Sequence, residues 1–141
     1  MMRDIEYAQR IITTADEYHF TAESEWEHAA ELDPTEGASF EEFQLSIRTA
    51  LHFYARSYLI LEMIETSEDQ SLEDLIEIIA DEDEEFNDFF IKNNAAAVLF
   101  GEEENDFTRL FAVAETIRSY LMGRSAEMAA TLHKRFVDSE E

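Results

Sequence analysis

From Ile5 to Ala29 the small and apolar residues fall at Ile5, Ala8, Ile12, Ala15, His19, Ala22, Trp26 and Ala29, in alternating steps of three and four. That spacing predicts one amphipathic helix over about residues 4 to 32, because it keeps a single stripe facing a neighbour. Alanine at alternate layers permits close approach of a second helix, and a twin of the same chain would make a homodimer through this seam. Asp33-Pro34 and then Gly37 supply the stop. Ser39 followed by Glu42 reads as a capping box that opens a second helix.

From Phe43 to Ile64 the pattern changes character. Leu45, Ile47, Leu51, Phe53, Tyr54, Tyr58, Leu59, Ile60, Leu61 and Met63 lie around most of the cylinder, as expected of a helix enclosed by others. No acid occurs between Glu42 and Glu62. Burying an unpaired carboxylate is costly, so the gap marks a core element. After a polar break at residues 66–70, Ser71 and Asp74 cap a short third helix carrying Leu72, Leu75, Ile76 and Ile79. Asp81 to Glu85 should form a loop and the first turn of a fourth helix, which ends near Phe100-Gly101 with glycine as a left-handed terminator. Asn105 or Asp106 can cap a last helix with the seam Phe107, Leu110, Phe111, Ala114, Ile117, Leu121, Met128, Leu132 and Phe136, bent at Gly123. The expected fold is all-α, a single-domain bundle of about five helices over residues 1–141.

Composition narrows the function classes. With no cysteine, the chain has no disulfide, thiolate zinc site, iron–sulfur ligand or cysteine nucleophile. Its 11 Phe, 5 Tyr and 1 Trp argue for a packed interior despite the charge. No apolar run approaches the roughly 20 residues that cross a bilayer, and the charged start Met1-Met2-Arg3-Asp4 lacks a signal peptide's apolar stretch. A cytoplasmic protein that avoids membranes is the expectation.

Charge is the most informative property. Thirty-four acids against 10 bases leave a formal net charge of −24, distributed unevenly. Residues 16–42 hold ten acids and no base, residues 62–106 hold 17 acids and one base, and residues 107–137 hold two acids and five bases. Such a chain repels phosphate backbones, so direct DNA binding is disfavoured and a basic protein partner is favoured. The tract formed by Glu73, Glu77, Asp81, Glu82, Asp83, Glu84, Glu85, Asp88, Glu102, Glu103 and Glu104 is the candidate partner-binding surface. Its plain reading is a solvated surface, and halophilic adaptation is a third explanation. The functional reading is imitation of a nucleic-acid backbone. Residues four apart on a helix, such as Glu73 and Glu77 or Glu84 and Asp88, sit about 5–6 Å apart. Several such rows together can present a charge density comparable with DNA, which carries one charge about every 3.4 Å of axis per strand.

Other chemistries lack their residues. A calcium loop starting at Asp81 would need Gly sixth and Glu twelfth, where Phe86 and Lys92 stand. Glu25 with His28, and Asp16 with His19, have the spacing of di-iron bundle ligands, but both pairs lie on one helix, so no metal or other cofactor is expected. Arg48, His52 and Arg56 recur every four residues on the acid-free helix and share one face. They read either as internal tethers to neighbouring acids or as an anion site in which His52 could act near neutral pH.

The helix containing Ala50-Leu51-His52-Phe53-Tyr54-Ala55-Arg56-Ser57-Tyr58-Leu59, the short helix opening Ser71-Leu72-Glu73-Asp74-Leu75 and the long last helix together resemble the HEPN superfamily from Ser39 to Phe136. The resemblance implies a helical domain that pairs through its helices, and in catalytic relatives an Arg followed four to six residues later by a His that cuts RNA. At the matching place this chain reads Lys92-Asn93-Asn94-Ala95-Ala96-Ala97-Val98-Leu99, with neither residue. What the resemblance then implies is a noncatalytic, antitoxin-like or RNA-processing regulatory relative. The charge pattern leads to a different expectation: a non-enzymatic inhibitor that occupies a partner's basic, nucleic-acid-binding surface, by analogy with acidic DNA mimics such as phage anti-defence proteins.

Overall fold

The seam of alternating small residues is resolved as a 30-residue helix, α1 (Met2–Glu31), in a computed structural model that describes residues 2–32, 40–67, 69–101 and 107–137. It is followed by α2 (Phe40–Leu61), α3 (Leu72–Glu82), α4 (Glu84–Lys92), α5 (Ala95–Phe100) and α6 (Phe107–Leu132), and by a π-helical turn at His133–Val137. Among the described residues there is no strand, so the fold is an all-α bundle.

α1 lies along α2, its most extensive neighbour, and buries Ala8, Ala15, Ala22, Trp26 and Ala29, with Trp26 packed against Phe111 of α6. The close approach that the alanines permit is therefore made within one chain. Ile11 rather than Ile12 is fully buried, since it too sits three residues after Ala8 and four before Ala15. Ile5, Ile12 and His19 are half-buried flanks.

α2 is the central element, in contact with α1, α3 and α6. Ile47, Ala50, Leu51, Tyr54, Ala55, Tyr58 and Leu59 are all at most 1% exposed, which accounts for the missing acids. Leu45 departs from the all-round pattern at 65% exposure. α2 ends on Met63 in the left-handed region (φ 64°), where the Met63 and Ile64 amides donate back to the Ile60 and Leu59 carbonyls.

The capping box at Ser71 and Asp74 forms in both directions. The expected fourth helix is two helices, which makes six rather than about five among the described residues. Asn94 takes a left-handed φ of 50°, a conformation Asn tolerates better than most residues, and the chain turns there before restarting at Ala95. Gly101 has φ −70° and is not a left-handed terminator; it is glycine because a Cβ would collide with the Ala97 carbonyl oxygen. The acidic run is more helical than expected, for Asp81 and Glu82 complete α3, Glu84 and Glu85 begin α4, and Asp83 alone forms the joint. α6 continues through Gly123 without interruption. The expected caps at Ser39, Asn105 and Asp106 lie outside the described residues.

Candidate functional site

α3 and α4 place their carboxylates outward because their apolar residues face inward. Leu72, Leu75, Ile76 and Ile79 bury one side of α3, which leaves Glu73, Glu77 and Asp81 exposed at one-turn intervals on the other, beside exposed Glu82. Phe86 anchors α4 in the core, and Glu84, Glu85 and Asp88 are exposed. Glu85 also accepts from the Tyr120 hydroxyl at 3.3 Å. Glu102, Glu103 and Glu104 lie outside the described residues.

Asp83 behaves differently from its neighbours. Its side chain is only 9% exposed, and it caps α4 by accepting from the Phe86 amide at 3.1 Å. Its other oxygen accepts from Tyr120 at 2.6 Å and Tyr58 at 3.4 Å, with Arg124 at 4.0 Å. Burial alone would raise its pKa, but the Tyr120 hydroxyl, the Phe86 amide and Arg124 hold it below the ordinary carboxylate value. Burial and the nearby charges of Glu62 and Asp83 push Tyr58 up to about 12.

A second inward carboxylate, Glu23, ties α1 to α2 and α6. Tyr54 donates to Glu23 Oε1 at 2.7 Å, and Arg118 reaches both Glu23 oxygens at 3.0 and 3.2 Å while its Nε donates to the Tyr54 hydroxyl at 2.8 Å. The guanidinium lies 5.0 Å from the Trp26 ring centre and also pairs with Glu115. Burial raises the Glu23 pKa, yet Tyr54 and Arg118 outweigh it and hold the group low. The sequence pattern did not single out this hub. Arg118 stands next to seam residue Ile117, but nothing selects Glu23 from the ten acids of its segment.

Arg48, His52 and Arg56 do share a face of α2, but they lead to three different places. Arg48 Nε donates to the Leu99 carbonyl at 2.7 Å, and the guanidinium lies over the Phe100 ring. His52 Nε2 lies 3.1 Å from the Gln70 carbonyl, which makes it the donor there. Arg56 is 6% exposed and donates to Thr66 and Tyr18, with its guanidinium 4.4 Å from the Tyr18 ring centre. Arg48 and His52 line a surface pocket of about 300 Å³ with Ser71, Glu73 and Phe100. Arg56 does not reach it, so the three side chains do not converge on one anion.

His19 lies 3.7 Å from Glu23 and edge-on to Tyr54. Among the described residues no three His, Asp or Glu side chains are grouped to hold a metal, and no helix is long and apolar enough to cross a membrane. The ion pairs described reach the tract of α3 and α4 at Asp83. In comparisons with known proteins, no family model, no curated protein and no solved structure matches the chain.

Proposed function

We propose that this chain is a non-enzymatic acidic binding protein that covers the basic, nucleic-acid-holding surface of a partner protein and inhibits it by occupancy. The observation that carries the reading is the outer face of α3 and α4, where exposed carboxylates recur at helical-turn spacing with Lys92 as the only base in residues 62–106. Rows of this kind, about 5–6 Å between neighbours, approach the charge density of a nucleic-acid strand. Glu73, Glu84 and Glu85 lie in first turns that the helix dipole favours, but the placement of two others is locally unfavourable. Asp81 and Glu82 stand at the C-terminal end of α3, where the helix dipole disfavours negative charge. A cationic partner relieves that repulsion, and the field steers it into contact.

Competition with DNA tests the reading. The chain is titrated into a basic nucleic-acid-binding protein holding labelled duplex, at low and at high salt. Displacement at low salt that weakens steeply with added salt is expected, and weakens again when Glu82, Glu84 and Glu85 are changed to Gln. No displacement, or displacement indifferent to both changes, rejects the proposal.

A further inference from the structure

We infer that the groove between α3, α4 and α5 seats an amphipathic helix of the partner, basic on one face and apolar on the next. This rests on the reading of the chain as a binder of basic proteins and adds to it a defined seat. The groove encloses about 300 Å³ and has two unlike walls. One is the exposed row Glu73, Glu77 and Asp81, and the other is formed by Phe90 of α4 and Phe100 of α5, both half-buried, with exposed Ala96 one turn before Phe100 on α5.

The occupant follows from those walls. Residues four apart on α3 rise by about 6 Å per step, so a helix lying alongside with Lys or Arg at every fourth position meets the three carboxylates turn for turn. Residues one position on are rotated by about 100°, which turns an adjoining apolar stripe of that helix toward Phe90 and Phe100. A groove of this volume accepts side chains rather than a backbone, so the partner helix lies along the rim and inserts its apolar residues. Among the described residues no ion pair engages Glu73, Glu77 or Asp81, so the row is available to an incoming cation. Contact through charge alone would have no use for the aromatic wall.

Two synthetic peptides of about five helical turns distinguish groove docking from simple attraction. One carries Lys at every fourth position with Leu on the adjoining face; the other has the same composition, scrambled. The ordered peptide should bind the full chain about tenfold more tightly than the scrambled one. Ala96→Lys, which obstructs the groove from an exposed position, should remove most of that preference. Ala112→Lys, an equal change of charge on the exposed side of α6, should leave it within about twofold. Equal, salt-sensitive binding of both peptides overturns the groove while leaving the broader reading intact, as does an identical response to the two lysine substitutions. Failure of both peptides to bind at low salt overturns both readings.

Discussion

Asp83 and Glu82 are neighbours in one acidic run and do opposite things. Asp83 turns inward, caps α4 and accepts from two tyrosines; Glu82 completes α3 and faces solvent. The same division separates larger regions. Around α2, Glu23 and Asp83 are matched by Arg118, Arg124 and phenolic hydroxyls at defined distances. Along the outer face of α3 and α4 there is little to match. A carboxylate in this protein is structural where a base or hydroxyl has been placed for it and presented where none has, which is a more useful distinction than the net charge.

The largest effect should come from breaking the matched region. Arg118→Met leaves the Glu23 charge without its guanidinium between three helices, and should lower stability in urea by about 2–4 kcal/mol. A loss within error of zero would mean that the hub does not fasten α1 to α6. Next comes the pair within the acidic run. Asp83→Ala removes a helix cap, takes its acceptor from the Tyr58 hydroxyl and leaves Tyr120 only its longer bond to Glu85, a loss of about 1–3 kcal/mol. Glu82→Gln should leave stability unchanged or slightly raised. Similar losses in both variants would erase the distinction between them.

A smaller effect appears on acidification. The folded pKa of Glu23 is lowered from its ordinary value of 4.5, so the stability it contributes is complete above that pH and is lost as the pH falls through the lowered value. The gap between the wild type and Glu23→Gln should therefore be widest near neutrality and narrow below pH 4.5. A gap that widens on acidification would show that the sign of the Glu23 shift is wrong.

Much of the fold was legible in the sequence because burial and capping leave local marks. The alanine steps gave α1, the acid-free stretch gave the central position of α2, and Ser71 with Asp74 gave the start of α3. Asn favours turns over helix interiors, but the break at Asn94 was missed because the apolar residues on either side of it, from Phe86 to Ile91 and from Ala95 to Phe100, read as one helix. The direction of each carboxylate was less legible. Asp83 has no distinguishing neighbour in sequence, and its partners Tyr58 and Tyr120 stand 25 and 37 residues away. Glu23 and Arg118 are 95 residues apart, and pairing over such separations is decided by packing. The pair Glu73 and Glu77 was readable because helical periodicity alone places it, whereas Asp81, expected in a loop, joins the row because α3 runs on to Glu82. The aromatic wall opposite the row was not readable, since it required the placement of α4 and α5.

Salt dependence of stability tests most directly the claim that the outer face of α3 and α4 carries unbalanced charge. Urea midpoints of the wild type and of the variant combining Glu73→Gln, Glu77→Gln and Asp81→Asn are compared across a sodium chloride series from low to high ionic strength. Screening should raise the wild-type midpoint, and the variant, more stable at low salt, should lose its advantage as salt is added. A wild type destabilised by salt, or a variant no more stable than the wild type at low salt, would mean that these carboxylates are balanced within the molecule and would contradict the account.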